Sequence, residues 1–174
     1  TSGCGKGVTF EDGPADSELP PLESDLRVNH DQLAALLHDL QSGAALYRHA
    51  RGVHAAGLAT PDRLLMLSED VGRHNTLDKL AGRCLLEGID PADHILLTSG
   101  RISSEMAKKA RRLLVPIVAS RTSPTSLSVQ LARAWGITLV GYLRPERMQV
   151  YAHPERLSPP PAIFTQKEDI DNES

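Results

Sequence analysis

Short apolar runs alternate with amphipathic segments along most of this chain. Runs rich in Leu, Ile and Val predict strands at 64–67, 94–98, 116–120, 137–143 and 148–152. Apolar residues that recur at helical spacing predict helices at 31–40, 44–48, 76–87, 103–114 and 127–135. Because the strands from 94 onwards alternate with helices, we expect them to form parallel βαβ units.

The strand at 64–67 is predicted to belong to a hairpin. The small-residue segment 53–59 comes before the turn 60–63, so the two strands are expected to pair in antiparallel fashion. A cap at Asn29 or His30 is expected to start the first helix. We therefore predict an α/β fold of three layers over residues 30–157, in which a mixed sheet (one antiparallel hairpin plus parallel βαβ units) has helices on both faces.

The stretch 68–82 is dense in ionisable groups. Four of them are expected on the loop that joins the hairpin to the next helix: Glu69, Asp70, Arg73 and His74. Asn75 is the expected N-cap of that helix, and Asp78 adds a weak form of the capping box. Open α/β sheets bind ligands where strands run into helices, which makes this loop a candidate site. The alternative is a solvated loop whose charges pair with each other.

Two later strand-to-helix turns, 98–101 and 121–126, combine hydroxyl groups with an arginine. They supply the candidate ligand-binding residues Ser99, Arg101, Thr122 and Ser123. Helix N-termini favour anions and arginine recognises phosphate, so the turns predict a phosphate-bearing ligand. Segment 142–147 leaves its strand at the same edge and adds two arginines. The alternative is that the hydroxyls only cap helices and that 142–147 is a solvated exit loop.

The composition and the motifs that the sequence lacks exclude several classes of protein. The chain has 174 residues, a formal net charge of −3 and 3% aromatic residues, which disfavours a nucleic-acid surface. No apolar run approaches the ~20 residues of a membrane span. The two cysteines, Cys4 and Cys84, do not make a disulfide framework and fit a reducing, cytoplasmic compartment. No metal is expected: a zinc deaminase needs His-x-Glu and Cys-x-x-Cys, and His54 lacks that Glu while no Cys pair follows.

The ends of the chain differ from its centre. Cys4 lies between glycines and near Lys6, which predicts an accessible, reactive thiol; the alternative is an ordinary surface cysteine. Cys84 falls on the apolar face of a helix, which predicts a buried structural thiol. We predict a cysteine loop, an acidic proline-containing linker and a disordered tail at 1–10, 11–29 and 158–174. The start at Thr1 leads us to expect a further N-terminal part.

Several motifs occur together in an order that resembles one protein family. They are VHAA at 53–56, EDVGRHN at 69–75, TSGR at 98–101, SEM at 104–106, PTSL at 124–127 and LVGY at 139–142. With the glycine-flanked Cys4 and with Tyr151, this set resembles the formate dehydrogenase accessory sulfurtransferases, the FdhD family. The resemblance covers roughly residues 1–157, apart from the linker.

The resemblance implies a fold similar to cytidine deaminases without zinc. It implies that Cys4 takes sulfur as a persulfide from a cysteine desulfurase. The sulfur passes to molybdenum in the bis(molybdopterin guanine dinucleotide) cofactor, which the formate dehydrogenase apoenzyme then requires. The family's segment that contacts the cofactor, with its guanine nucleotide moiety, matches Tyr142, Leu143, Arg144, Pro145, Glu146 and Arg147. Arg73 and His74 would position or protonate groups near the sulfur. We also expect a homodimer.

Two positions depart from the family's pattern. The family usually has Cys-Gly-x-Cys, and here Gly7 stands in place of the second cysteine. A second thiol could relay a persulfide by exchange, so Gly7 argues against a two-cysteine mechanism but leaves one carrier thiol. Ala50-Arg51-Gly52 replaces the favoured Thr-Gly-Gly before His54. The alternative function is a non-catalytic molybdenum cofactor chaperone or a guanine-nucleotide-binding module, in which Cys4 is only a contact.

Overall fold

The structure is a computed structural model, and it describes residues 19–50 and 52–159. In these ranges the helices are α1 (His30–Gly43), α2 (Ala45–His49), α3 (Arg73–Glu87), α4 (Ser104–Arg112) and α5 (Ser126–Ala134). The strands are β1 (His54–Ala59), β2 (Leu64–Asp70), β3 (Ile95–Thr98), β4 (Ile117–Ser120), β5 (Thr138–Gly141) and β6 (Gln149–Ala152). A 3-10 turn follows at Pro154–Arg156. The predicted cysteine loop, most of the predicted tail and Cys4 lie outside the described residues.

The strands form one six-stranded mixed sheet in the order β2-β1-β3-β4-β5-β6. β1 and β2 pair in antiparallel fashion, as the hairpin prediction required. β3, β4 and β5 are parallel neighbours joined through α4 and α5, which confirms the predicted βαβ units. β1 pairs antiparallel with β3, and β6 pairs antiparallel with β5. The parallel strands therefore occupy the centre of the sheet, and their carboxyl ends meet at one edge.

Helices cover both faces of the sheet, as predicted. On one face, α1 buries Leu33 and Leu40 in a cluster that includes Ile95 and Leu97 of β3. On the other face, α3, α4 and α5 bury a second cluster, whose largest member is Trp135. The side chains on both faces of β3 are buried. Each buried leucine or isoleucine stabilises the fold by about 1.5–3 kcal/mol relative to leaving it in water. The central strand is thereby fixed from two sides.

The start of α1 follows the expected capping chemistry. The Asn29 side chain accepts a hydrogen bond from the Gln32 backbone N–H at 2.8 Å, and the Gln32 side chain accepts one from the Asn29 N–H at 3.0 Å. This reciprocal capping box satisfies two N–H groups that a helix start leaves free. Asn29 is therefore the cap, and His30 is the first helical residue.

The prediction for 68–75 was wrong in two respects. β2 continues to Asp70, so Glu69 and Asp70 lie in the strand and not on a loop. α3 begins at Arg73 behind a Gly72 cap, so Arg73 and His74 occupy its first turn and Asn75 is not the cap. The strand outlasts its apolar run because the backbone pairing with β1 continues to Asp70, and the polar side chains find partners in the adjoining helices and turn. For example, Ser68 Oγ donates to the Thr76 carbonyl at 2.6 Å.

Residues 19–28, part of the predicted linker, form an extended strap on the domain. The Leu22 N–H donates to the Trp135 carbonyl at 2.8 Å, and Val28 bridges to Leu157. Two buried arginines hold the strap: Arg111 Nη2 donates to the Pro20 carbonyl and Arg156 Nη2 to the Leu22 carbonyl, both at 2.8 Å. This part of the linker is extended, as expected, but packed.

Candidate functional site

The carboxyl ends of the three parallel strands are tied together by backbone hydrogen bonds. The Arg121 N–H donates to the Thr98 carbonyl at 3.3 Å, which joins the turns after β3 and β4. The Leu143 N–H donates to the Ser120 carbonyl at 3.0 Å, which joins the turns after β4 and β5. These contacts form a continuous surface, the carboxyl edge, from the predicted turn 98–101 to the predicted segment 142–147.

Hydroxyl groups shape the carboxyl edge from within. Ser99 is buried, and its Oγ accepts the Ala55 N–H at 2.9 Å. Ser120 Oγ donates to the Gly100 carbonyl at 2.7 Å and lies 3.1 Å from Thr122 Oγ1. Ser99, a predicted ligand contact, therefore uses its oxygen to hold β1 beside the turn after β3. Thr122 is half-buried, and its hydroxyl contacts Ser120 Oγ.

The helix starts at the carboxyl edge are capped by side chains of the chain itself. Ser103 Oγ accepts the Met106 N–H at 3.4 Å at α4, and Thr125 Oγ1 accepts the Ser128 N–H at 3.3 Å at α5. The predicted residue Ser123 contributes its carbonyl, which accepts the Ile102 N–H at 3.3 Å. Helix capping thus explains why Ser103 and Thr125 stand at these positions. The prediction of a phosphate-bearing ligand therefore depends on the arginines of the turns.

Three arginines extend from the carboxyl edge without an acceptor among residues 19–50 and 52–159. These edge arginines are Arg101 after β3, Arg121 after β4 and Arg147 between β5 and β6. Arg101 and Arg147 are exposed and Arg121 is half-buried. No carboxylate of the described ranges forms an ion pair with any of them. Three guanidinium groups on one edge are suited to phosphate, which they bind through paired N–H donors.

Arg144 differs from the edge arginines because the chain itself uses its guanidinium. Its Nη1 donates to the Arg121 carbonyl at 2.6 Å and to the Leu143 carbonyl at 2.8 Å. Its own carbonyl lies 2.9 Å from His30 Nε2 of α1. Arg144 therefore holds segment 142–147 in place and has less capacity for a ligand than Arg147.

The rest of segment 142–147 presents an aromatic ring beside these arginines. Tyr142 has a φ of 48°, in the left-handed region that a non-glycine residue seldom adopts, and it is 44% exposed. Leu143 is fully buried, so only its backbone can face a ligand. Pro145 and Glu146 form the exposed tip of the turn. The strained tyrosine places a flat apolar face at the edge, where a base could stack.

Two of the four predicted ionisable residues of the 68–75 stretch support the fold. Asp70 Oδ1 accepts the Gly72 N–H at 2.9 Å and an Asn75 side-chain N–H at 3.0 Å, while Oδ2 pairs with Lys79 at 2.6 Å. Glu69 Oε1 accepts the Tyr47 N–H at 2.6 Å and so caps α2, whose own cap residue has no side-chain bond. Neither residue fits the alternative of a solvated loop whose charges pair with each other, because both lie in β2 and bind Tyr47, Gly72, Asn75 and Lys79.

We expect Asp70 to make folding stability depend on acid pH. Hydrogen bonds from Lys79, Gly72 and Asn75 lower the pKa of Asp70 from 3.8 to about 2. The stabilisation is therefore complete above pH 3.8 and is lost as pH falls towards 2. In urea unfolding, Asp70→Asn should be less stable than the wild type at neutral pH, and the difference should shrink below pH 4. Asp62→Asn, in the exposed hairpin turn, is the control, and a gap that stays constant with pH would contradict the assignment.

Arg73 and His54 form a second basic group at the carboxyl edge. A Cβ atom on Gly100 would lie 3.1 Å from Arg73 Cβ and 3.2 Å from His54 Nδ1, so both side chains pack against this glycine. Arg73 Nε is buried and has no hydrogen-bond partner within the described ranges. Burial, reinforced by Arg73, lowers the pKa of His54. The strand register, which pairs His54 with Asp70, places His54 beside α3.

His74 connects α3 to α4. Its Nε2 lies 3.2 Å from Ser103 Oγ, and its carbonyl accepts a bond from Lys109 Nζ at 3.4 Å. Lys109 also pairs with Asp78 at 2.6 Å. Burial, with Arg73 and Lys109 nearby, lowers the pKa of His74. His74 is therefore oriented by the helix start of α4, while Arg73 and His54 face Gly100.

The described ranges hold one cysteine, and it is structural. Cys84 is 4% exposed, and its thiol lies 3.7 Å from the Met66 sulfur. Burial raises the pKa of Cys84, which keeps the unreactive thiol form at neutral pH. This agrees with the sequence prediction. The predicted carrier Cys4 lies outside the described residues.

Neither a metal-binding cluster nor a membrane-spanning helix occurs in the part of the chain that the structure describes. No three His, Cys, Asp or Glu side chains come together there as metal ligands. No helix in that part has the length and apolar character to cross a bilayer.

Comparisons with known proteins identify the family. The FdhD/NarQ family model matches residues 1–158. The sulfur carrier protein FdhD of Bacillus subtilis (strain 168) is 40% identical over 154 residues, which is 88% of this chain and 59% of that protein. FdhD of Thermoplasma acidophilum is 42% identical over 137 residues, covering 78% of this chain and 49% of that protein.

A solved structure shows the same fold. The crystal structure of a protein assigned as a formate dehydrogenase accessory protein, from Desulfotalea psychrophila, superimposes with a TM-score of 0.74 at 36% identity, covering 82% of this chain and 61% of that one. This chain thus spans about three fifths of the Bacillus subtilis relative. Given the match over residues 1–158, the chain belongs to the FdhD/NarQ family.

Proposed function

We propose that this protein is a sulfurtransferase of molybdenum cofactor maturation. Cys4 accepts sulfur from a cysteine desulfurase and delivers it to molybdenum in the bis(molybdopterin guanine dinucleotide) cofactor, which the protein binds as a substrate. The formate dehydrogenase apoenzyme then receives the sulfurated cofactor. Support comes from relatives named sulfur carriers and from the solved structure assigned to a formate dehydrogenase accessory protein. The proposal includes a homodimer in the cytoplasm with a deaminase-like, zinc-free fold.

The single observation that carries this proposal is the set of edge arginines. Arg101, Arg121 and Arg147 lie on the edge where three parallel strands end, and none has an acceptor in the described ranges. The guanine dinucleotide cofactor carries phosphates, whose charges such guanidinium groups neutralise. Tyr142 offers an exposed ring beside them for a guanine base. A cofactor bound there would lie across the carboxyl ends of the strands, as ligands do in open α/β sheets.

Sulfur uptake by Cys4 needs a thiolate and no further reagent. The thiolate attacks the outer sulfur of the donor's persulfide and forms a new S–S bond on Cys4. The old S–S bond breaks, and its electron pair leaves with the donor's thiolate, so no net oxidation occurs. Lys6, two residues away, favours the thiolate form of Cys4. One cysteine suffices for this exchange, which is compatible with Gly7.

A second candidate function is a cofactor chaperone. Gly7 favours it, because the position that holds a second cysteine in the family holds none here. In that case the edge arginines would still bind the cofactor, and Cys4 would only contact it. The two functions therefore differ in whether Cys4 is required.

Restoration of formate dehydrogenase activity tests the proposal. The chain is expressed in cells that make a formate dehydrogenase but lack their own sulfur carrier. We expect wild type and Cys84→Ala to restore formate oxidation and Cys4→Ala to leave it at background, since only Cys4 carries sulfur. Full restoration by Cys4→Ala would support the chaperone, and no restoration by a folded wild-type chain would contradict the sulfurtransferase.

A further inference from the structure

The start of α1 lies against segment 142–147, although the two are 114 positions apart along the chain. His30 Nε2 is 2.9 Å from the Arg144 carbonyl oxygen. Because a carbonyl oxygen only accepts hydrogen bonds, this ring nitrogen carries a hydrogen and donates it. Leu143, next to Arg144, and Leu33, three positions after His30, belong to the same buried cluster. Packing and one side-chain hydrogen bond therefore connect segment 142–147 to α1.

The backbone on which His30 stands is held firmly. The Val28 N–H donates to the Arg156 carbonyl at 3.0 Å, and the Ser158 N–H donates to the Val28 carbonyl at 3.1 Å. The reciprocal capping box of Asn29 then fixes the first turn of α1. The His30 side chain is 27% exposed, so most of it is packed against the chain. The ring thus extends from a fixed point towards segment 142–147.

The peptide group between Arg144 and Pro145 has a single means of being held. Proline has no N–H, so this peptide group can form hydrogen bonds only through the Arg144 carbonyl. Within residues 19–50 and 52–159, the hydrogen bond that this carbonyl accepts comes from His30. The Arg144 N–H donates to the Arg147 carbonyl at 2.8 Å and closes a tight turn around this peptide group. Its orientation therefore decides where the turn places Arg147.

We propose that His30 is a positioning residue for the nucleotide part of the cofactor. By holding the Arg144 carbonyl, it orients segment 142–147 so that Tyr142 and Arg147 face the ligand, and it makes no contact with the ligand itself. This deepens the proposed function and rests on it, since it concerns the same carboxyl edge. An arginine whose backbone is already in place loses less conformational entropy on binding, which strengthens binding.

Three variants test the role of His30, with guanosine diphosphate as the probe in isothermal calorimetry. His30→Leu keeps an apolar side chain but removes the donor, and it should weaken binding about fivefold, the effect of one net hydrogen bond. His30→Gln should restore most of the affinity, because its amide N–H can reach the same carbonyl. The control is His38→Leu, an exposed position of α1 whose ring contacts only Ser42, and it should bind like the wild type.

Amide hydrogen exchange of the ligand-free chain gives a second readout, which does not depend on binding. The N–H groups of Tyr142, Leu143 and Arg144 are hydrogen-bonded in the structure. We expect them to exchange faster in His30→Leu than in the wild type, whereas α5 should exchange at an unchanged rate. If His30→Leu fails to fold, His30→Asn replaces it, because asparagine is polar but too short to reach the carbonyl.

The outcomes separate this inference from the proposed function. A wild-type chain that is folded but does not bind guanosine diphosphate would contradict cofactor binding at the carboxyl edge, and the role of His30 would fall with it. A wild type that binds, with equal affinity in His30→Leu, would overturn the role of His30 only. Unchanged exchange at 142–144 in His30→Leu, or a glutamine variant as weak as the leucine variant, would overturn it as well.

Discussion

Replacing Arg156 by alanine is expected to lower the free energy of unfolding by about 3 kcal/mol. Arg156 is 5% exposed, and its guanidinium donates to the carbonyls of Gly136 and Leu22, both at 2.8 Å, and to Thr138 Oγ1 at 3.3 Å. One side chain therefore joins the strap, the end of α5 and the start of β5. Alanine would leave one buried and one half-buried carbonyl without this donor and open a cavity, and each buried carbonyl left unpaired costs about 1–3 kcal/mol.

Urea unfolding followed by circular dichroism measures this effect. Arg27→Ala is the control, because Arg27 lies in the same strap but is exposed, and we expect a change within about 0.5 kcal/mol. Arg156→Met separates volume from hydrogen bonding, since it fills the space and donates nothing. A methionine variant as stable as the wild type would show that the carbonyls find other donors, and the strap would then not depend on Arg156.

Replacing both Arg121 and Arg147 by glutamine is expected to weaken binding of guanosine diphosphate by about a hundredfold or more. Each charge-assisted hydrogen bond contributes about 1.5–3 kcal/mol, and 1.4 kcal/mol corresponds to tenfold in affinity. Both side chains lack acceptors in the described ranges, so their loss should not unfold the chain. Isothermal calorimetry with guanosine diphosphate as probe measures the affinity, with Arg63→Gln as the control.

The same experiment distinguishes ligand contacts from support of the turn. Arg144 donates to the carbonyls of Arg121 and Leu143, so Arg144→Gln should loosen segment 142–147 and also lower thermal stability. The Arg121/Arg147 double variant should lower affinity at unchanged stability, and its affinity should depend less on salt than that of the wild type. Unchanged affinity in the double variant would remove the phosphate role from the edge arginines.

The alternation of apolar runs and helical segments was enough to predict the hairpin and the parallel units of the sheet, but not the antiparallel pairing of β1 with β3 or of β6 with β5. The βαβ units followed from it because β3, β4 and β5 are buried along their whole length, which favours mostly apolar sequences. The boundary of β2 could not be predicted that way. Glu69 continues the strand opposite Ala55, and its carboxylate caps α2 through Tyr47, which lies 22 positions earlier in the chain. Such partners become visible only when the chain is folded.

The candidate site was predictable in position but not in the roles of its residues. Turns after parallel strands meet at one edge, so the candidates Ser99, Arg101, Thr122 and Arg147 were expected to be neighbours. The sequence around an arginine does not show whether its guanidinium is free or donates hydrogen bonds to backbone carbonyls. Arg144 and Arg147 look alike in the sequence, yet Arg144 donates to two carbonyls and Arg147 is exposed.

The most direct test of the central claim is the intact mass of the chain after incubation with a cysteine desulfurase, cysteine and pyridoxal phosphate. We predict that wild type and Cys84→Ala gain the mass of one sulfur atom, that a reductant removes it, and that Cys4→Ala gains none. A gain that persists in Cys4→Ala, or no gain in a wild-type chain that still binds guanosine diphosphate, would contradict sulfur transfer by Cys4.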